Sequence, residues 1–433
     1  MNRIILIGNG FDLAHGMSTS YGAFINDYWG NKRKEVLDKK YYGKTYQDDN
    51  IIIKRVPSLL YNEAAKGESE YKSFLTSLRF NKSYIEYQNK FLEILTEKNY
   101  SLNWVDIEKE YYSLLKKSYK ELSARRYDIS DLNKHFQVIE SLLEEYLTII
   151  QTEFNKSFAS TDDEICLKRS IHEVIYSDFN FRDFSELSIN HLTEEIFQNV
   201  YPNIKDLDSN RIHIQELDLS DREKRLYKAL SSLDDKATKT KIKKLLKSEA
   251  SANYFRYRPD EVLFLNFNYT STEIHYHTPP IDKEFENDIA IDVIHIHGIL
   301  NNKMDNKIIF GFGDEIDKDY LEIEDLDDNE YLQNIKSMKY LESDSYKRLL
   351  DFINSNNYQV FIFGHSCGIS DRTLLNTLFE HKNCSSVKPY YRQKNDGTDN
   401  YSEMIRNISR NFTDKASMRD KVVNKKFTKA LFT

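Results

Sequence analysis

At 433 residues the chain is long enough to bury a sizeable core, and more than one. Hydrophobic residues make up 40% and charged residues 30%, an ordinary soluble balance, and the net charge of −8 argues against a surface built for non-specific binding to phosphate backbones. Cys166, Cys367 and Cys384 form an odd, widely spaced set that fits neither a disulfide framework nor a zinc motif, and no apolar run reaches signal-peptide or membrane-spanning length, so a cytoplasmic protein is expected.

Glycine (13) and proline (6) are scarce, which favours helix over long loops. The first element is "RIILI", a strand over residues 3–7. It runs into Gly8-Asn9-Gly10, and in a doubly wound sheet such a turn is where a phosphate-bearing ligand approaches the backbone. The dinucleotide fingerprint is not completed, because Leu13 stands where its third glycine would be. Asp27 lies at about the distance of a ribose-binding carboxylate, and is weak evidence alone. The alternative is a plain tight turn with Asp12 solvated or capping a helix.

Between about residues 60 and 250 the pattern changes. "YIEYQNKFLEIL", "IEKEYYSLLKKSYKEL" and "FQVIESLLEEYLTIIQTEF" repeat apolar residues at three- and four-residue spacing, the mark of amphipathic helices. Residues 221–250 are helical and more charged. "NWVDIE" reads equally as a helix start, with acids favoured by the dipole, and as acids (Asp106 or Glu108) reaching a cleft under the helices.

Strand-like runs return at residues 261–267, 292–298, 307–313, 359–364 and 386–392. Most are continuous rather than alternating, as in a parallel sheet covered on both faces. Asn266 and Asn268 fall at the end of the first of these, where an amide can enter a ligand crevice or simply shape a turn. Two H-x-H pairs occur, His275/His277 and His295/His297. No third ligand at fixed spacing accompanies either, so a metal is not expected. His297, before Gly298 at a strand end, is the histidine best placed for general-base work.

"VFIFGHSCGISD" matches Gly-x-Ser-x-Gly and poses Ser366 as an esterase nucleophile. The only later histidine is His381, on the helix that follows, and no His-Gly-Gly-Gly segment precedes it. A ligand-contacting strand end accounts for the stretch better, with Cys367 a packed small residue. The tail from about residue 391 is rich in Lys and Arg and reads as a solvated helical face. The expected architecture is α/β: a Rossmann-like, mostly parallel sheet from residues 1–55 and 255–433, with a large α-helical insertion over 56–254.

The opening "LIGNGFDLAHGMSTSYGAFI" closely resembles the AbiH family of bacterial abortive-infection proteins. "NWVDIE", "NFNYT", "HIHG", "IIFGFGDE" and "FIFGHSCGISDRTL" resemble that family's segments in its order. That resemblance implies a role in anti-phage defence. A more distant resemblance is to sirtuin-like domains, through Gly8 and Gly10, Asn268-Tyr269, His297-Gly298, Gly364-His365-Ser366 and Ser370-Asp371. Thr270 stands where that pattern often has Asp, Phe11-Asp12 replaces small residues, and the zinc-binding cysteines of protein deacylases are absent. The closer comparison is therefore with defence-associated sirtuin-like enzymes that destroy NAD.

What this implies is cleavage of NAD, as substrate, to nicotinamide and ADP-ribose without a metal. Asn268 and His297 would be catalytic. Gly8, Asn9, Gly10, Phe11, Asp12, Gly364, His365, Ser366, Ser370 and Asp371 would hold the pyrophosphate and the adenosine half. A phage-derived trigger or partner protein and a homo-oligomer fit that role, and a nucleic-acid or membrane partner does not. The alternatives are a non-hydrolytic nucleotide-binding sensor or toxin partner, a metal-dependent nuclease or phosphohydrolase using Asp12, and the serine esterase through Ser366.

Overall fold

The computed structural model describes residues 1–39, 41–56, 70–80, 84–102, 106–120, 127–158, 161–209, 219–281, 288–302, 307–312, 315 and 318–432. Nine strands are described: β1 (Asn2–Ile7), β2 (Tyr46–Gln47), β3 (Ile51–Lys54), β4 (Tyr84–Tyr87), β5 (Glu261–Asn266), β6 (Ala290–His295), β7 (Tyr358–Phe363), β8 (Cys384–Arg392) and β9 (Ala430–Phe432). Six of them form one sheet in the order β6-β5-β1-β7-β8-β9, every pair parallel. Numbered by their own succession along the chain, those six strands run 3-2-1-4-5-6, the doubly wound dinucleotide-fold order. The fold is thus the α/β, Rossmann-like one.

The continuous apolar runs are explained by burial on both faces. Ile4 and Leu6 of β1 point into a core shared with Leu263, Leu265, Val360 and Ile362 and covered by the helices Ser345–Ser355, Arg372–Glu380 and Tyr401–Asn411. Ile5 and Ile7 point the other way, into a core with Phe264, Phe361 and Phe363 covered by the helix Asp162–Ile175. Asn2 and Arg3 are the polar exceptions within β1, and Arg3 is fully buried. Its Nη1 donates to the carbonyls of Ile175 and Ser177 at 2.8 and 2.7 Å and its Nη2 to Gln359 Oε1 at 3.3 Å, while Nε is buried with no hydrogen-bond partner and the guanidinium lies between the rings of Phe179 and Phe361.

Helical readings in the middle of the chain resolve into Ile107–Lys120, Ile129–Ser157, Asp221–Leu230 and Asp235–Leu246. Two readings change. "YIEY" at the head of the first quoted segment is not helix but β4, the edge of a small antiparallel sheet β2-β3-β4. Its Ile85 and Tyr87 pair with Ile53 and Ile51 of β3, and Asn89 then caps the helix Lys90–Leu102 by accepting from Leu92 N–H at 2.9 Å. Residues 308–312 are buried but form no strand, Phe312 making only an isolated bridge to Ile335, and Gly313 lies outside the described residues. Their backbone packs against the turn after β6: a Cβ on Gly298 would meet Lys307 O at 2.2 Å, and Ile309 N–H donates to His297 O at 2.8 Å. The segment crosses the end of β6 instead of pairing along it.

A third, aromatic-rich core joins Phe24, Trp29 and Ile51 to Phe74, Phe91, Tyr111 and Phe136, and reaches the carboxyl ends of the sheet through Tyr269, Phe310 and Phe312. Among the described residues no helix is long and apolar enough to cross a membrane.

Candidate active site

The carboxyl ends of β6, β5, β1 and β7 open on a cavity of about 390 Å³. It lies beside the junction of β1 and β7, where the strand order reverses and where ligands of this sheet type bind. The two turns that meet there are fitted to each other. A Cβ on Gly8 would lie 2.5 Å from the Cα of His365, and one on Gly10 would lie 2.6 Å from Gly364 O. Gly364 itself has φ of 68°, the left-handed region that glycine enters without strain. Gly10 N–H donates to Gly364 O at 2.8 Å. The glycines therefore serve contact between the turns, and the Gly10 amide is already engaged by protein. A second cavity of about 280 Å³ lies beyond the same contact, toward β8, with Arg392 and Asn407 on its wall.

Gly8, Asn9, Gly10, Asp12, Asn268, His297, Gly364, His365, Ser366, Ser370 and Asp371 all line the first cavity. Phe11 does not serve as expected. It is fully buried in the core, its ring parallel to Phe363 at 6.2 Å. Asp12 is neither solvated nor a cap. It is buried and accepts from the hydroxyls of Thr270 and Thr272 at 2.5 and 2.8 Å. Burial pushes its pKa up to about 6 against the lowering effect of those bonds. Thr270 is thus the donor to a carboxylate from the first turn. Asp27 sits on the exposed face of the helix Tyr21–Asp38, bonded to Asn31, away from the cavity.

The two asparagines divide their roles. Asn266 is fully buried, and its amide donates to Thr270 O at 2.9 Å and to Glu273 at 2.7 Å while its oxygen accepts from Asn268 N–H at 2.8 Å. It builds the turn that presents Asn268, whose own amide nitrogen is buried with no hydrogen-bond partner. The histidines divide likewise. His295 pairs with Glu273 at 3.0 Å. His297, past the strand end, places Nδ1 3.1 Å from Phe267 O and Nε2 3.2 Å from both the Tyr340 hydroxyl and Asp371 Oδ1. Burial, then the charge of Lys336, lowers its pKa to about 4 in spite of Asp371. A carbonyl can only accept, so Nδ1–H donates to Phe267 O, and Nε2 lies between the Tyr340 hydroxyl and the Asp371 carboxylate.

Beneath His297 lies a buried charge cluster. Lys336 Nζ is 3.1 Å from both Glu108 Oε2 and Asp371 Oδ1. One cation serves two carboxylates. Burial alone would lower the Lys336 pKa and raise that of Asp371, but their mutual attraction overrides it, holding the ammonium above and the carboxyl well below their ordinary values. Glu108 is the surplus acid. Burial first, then Asp371 and Asp106 against the pull of Lys336, raises its pKa to about 7. Asp106 caps its helix, accepting from Lys109 N–H at 3.1 Å, and also lines the cavity, so both readings of that segment hold, while Trp104 lies outside the described residues.

Ser366 is not presented as a nucleophile. The left-handed position in its turn is Cys367, with φ of 51°, and the neighbouring histidine is committed elsewhere. His365 Nδ1 accepts from Cys367 N–H at 3.0 Å and its Nε2 faces Asp371 at 3.6 Å. His381 ends the helix Arg372–Glu380 and lies parallel to Tyr358 at the amino end of β7, the opposite end of the sheet. Cys367 is buried, and burial raises its thiol pKa. Among the described residues no three His, Cys, Asp or Glu side chains converge as metal ligands. Between Glu108 and Asp371 the place of a cation is taken by Lys336.

A doubly wound parallel sheet with a cavity at its switch point, lined by acid, amide and imidazole groups, defines a Rossmann-like α/β protein. Residues 4–392 match the model of the family described as bacteriophage abortive infection AbiH, and the chain belongs to that family. Its role is accordingly in abortive infection by bacteriophage. No curated protein and no solved structure matches the chain.

Proposed function

We propose that the protein cleaves NAD to nicotinamide and ADP-ribose as its contribution to abortive infection. The observation that carries this reading is the gathering of Asn268, His297 and the paired glycine turns on one cavity at the reversal of a 3-2-1-4-5-6 sheet. Two cavities flank the glycine contact, which suits a ligand with two nucleoside halves. In the reaction the bond from ribose to the ring nitrogen breaks, nicotinamide leaves with the electron pair, and the ribosyl centre takes oxocarbenium character before water adds. The Asn268 amide would position ribose or water. Neutral His297 would accept the proton from a ribose hydroxyl or from the adding water. Water joining a cation is strongly acidified, so a base of pKa about 4 suffices. In the cell such activity would be held off until a phage-derived trigger or partner protein released it.

The test is incubation of the purified protein with NAD and no added metal, with nicotinamide and ADP-ribose read by chromatography. Release by wild type that is lost in Asn268→Ala and His297→Ala is the expected result. Release that survives His297→Ala would remove its role as base. Binding of NAD without release would favour a non-hydrolytic nucleotide sensor, a second reading that the engaged Gly10 amide and the enclosed His297 ring support.

A further inference from the structure

A separate cavity of about 290 Å³ lies at the β9 edge of the sheet, between β8, the turn Phe181–Asp183 and the chain that leads into β9. Arg182, Lys388, Lys426 and Lys429 stand on its wall with Tyr390 and Phe427, and among the described residues no carboxylate lines it. In a chain of net charge −8, four cations around one concavity repel one another with little on the wall to offset them. Their commitments differ. Lys388 is buried and held at 2.8 Å by Asp183, which neutralises it. Arg182 meets Glu249 at 3.0 Å, but that carboxylate is 87% exposed and the pair is weak in water. Lys426 and Lys429 are exposed and make no ion pair among the described residues, whereas the adjacent Lys425 is held at 2.7 Å by Asp399. The Phe427 ring gathers two of these cations, Arg182 at 5.0 Å and Lys426 at 5.8 Å from its centroid. The backbone that carries them is fixed: the Thr428 hydroxyl donates to Pro389 O at 2.6 Å, and Asn180 Oδ1 accepts from Arg182 N–H at 3.2 Å.

We infer that this cavity is a second ligand site, apart from the glycine turns, and that it binds a small organic di- or triphosphate. The ammonium groups of Lys426 and Lys429 and the loosely held guanidinium of Arg182 supply three positive charges, which match a chain of phosphate groups better than a single one. The volume suits a phosphate chain and not a nucleic-acid duplex, and the net charge of the protein opposes a long polyanion. The site gives a use to the Lys-rich run "NKKFTK", which in the sequence reads only as part of a solvated tail. Lys388, Tyr390 and Arg392 alternate along β8 and so share one face of it, and Tyr390 lines both this cavity and the one that holds Arg392. The bound phosphate chain therefore lies one side chain from the second cavity. The inference goes beyond cleavage of NAD and stands without it.

The experiment is titration calorimetry of the full chain with inorganic tripolyphosphate, orthophosphate and a single-stranded thymidine oligomer of about 15 nucleotides. Tripolyphosphate should bind at least about tenfold tighter than orthophosphate, and its affinity should fall several-fold between about 50 and about 300 mM salt. Changing Lys426→Ala and Lys429→Ala together should weaken tripolyphosphate about tenfold, about threefold for each charge contact. Both side chains are exposed, so the double variant should keep the wild-type Tm. Lys156→Ala, at an exposed lysine outside the cavity wall, should change the affinity by less than about twofold. Absence of tripolyphosphate binding, or binding that the double variant retains, overturns the inference. Tighter binding of the thymidine oligomer than of tripolyphosphate also overturns it, in favour of a nucleic-acid surface. Failure to release nicotinamide from NAD leaves each of these outcomes as it stands.

Discussion

Replacing Lys336 by methionine tests the buried cluster directly. The variant keeps the length and apolar stem of the side chain and removes only its charge and donors. Lys336 is 1% exposed and bridges Glu108 and Asp371 at 3.1 Å each. Glu108, with pKa raised to about 7, can take a proton when the cation is lost. Asp371 loses with Lys336 the largest influence that holds it well below the usual carboxylate range and is left buried beside His297 and His365. The loss is therefore that of one partner of a buried pair, about 3–5 kcal/mol. For 433 residues the unfolding entropy is about 0.9 kcal/mol/K, so the expected fall in Tm is about 3–6 °C by differential scanning calorimetry. Adding Asp371→Asn to Lys336→Met should restore part of the loss, with a coupling of about 2–3 kcal/mol. A Tm change under about 1 °C, or additive effects in the double variant, would refute the picture of a desolvated ion pair.

Glu108→Gln gives a pH signature. Because the folded state raises this carboxyl above its ordinary 4.5 to about 7, its contribution to stability is full below about pH 4.5 and is lost as pH rises through about 7. The difference in Tm between wild type and Glu108→Gln should therefore fall from about pH 5 to about pH 8, and a difference that grows would contradict the assignment. Asn266→Ala should cost about 2–3 kcal/mol in thermal melts, because Thr270 O, Glu273 and Asn268 N–H lose their partner, whereas Asn268→Ala should melt within about 0.5 kcal/mol of wild type while losing ligand binding. Gly364→Ala should destabilise by more than about 3 kcal/mol, since its Cβ would meet Phe11 N at 2.0 Å in a left-handed conformation; Gly30→Ala, inside a helix with open space around it, should stabilise by about 0.5–1 kcal/mol.

The parallel sheet was legible because strands covered on both faces are continuous apolar runs, and β1, β5 and β7 are each written that way. Their order was not legible. β1 pairs with residues more than 250 positions away on both sides, Arg3 beside Val262 and beside Gln359, and no local pattern encodes that choice. β4 was misread because Tyr84 to Tyr87 abuts a true amphipathic helix, and four residues are too few for period 2 to stand out from period 3.6. Residues 307–312 carry a strand composition, but the turn at Gly298 takes the edge that they would have paired with.

At the site, spacing located the turns but not the contact between them. Glycines after β1 suggested close approach of a backbone, and Gly8 and Gly10 do approach closely the backbone at Gly364 and His365. Asn268 and His297 come to line one cavity because residues at the carboxyl ends of parallel strands share one rim whatever the strand order. Lys336 was missed for the opposite reason. In "NIKSMKYLE" it is one lysine in a polar stretch, and a buried cation is distinguished from a solvated one only by the carboxylates it meets, here from positions 108 and 371. One local signal does exist. Lys336 stands four residues before Tyr340, hence near it on a helical face, and Tyr340 is buried against His297. A lysine on the face of a buried tyrosine must either snorkel out or find acids inside. This one has 1% of its surface exposed, so only the second course is open to it, and that is what makes Asp106 and Glu108, from a distant helix, part of the same site.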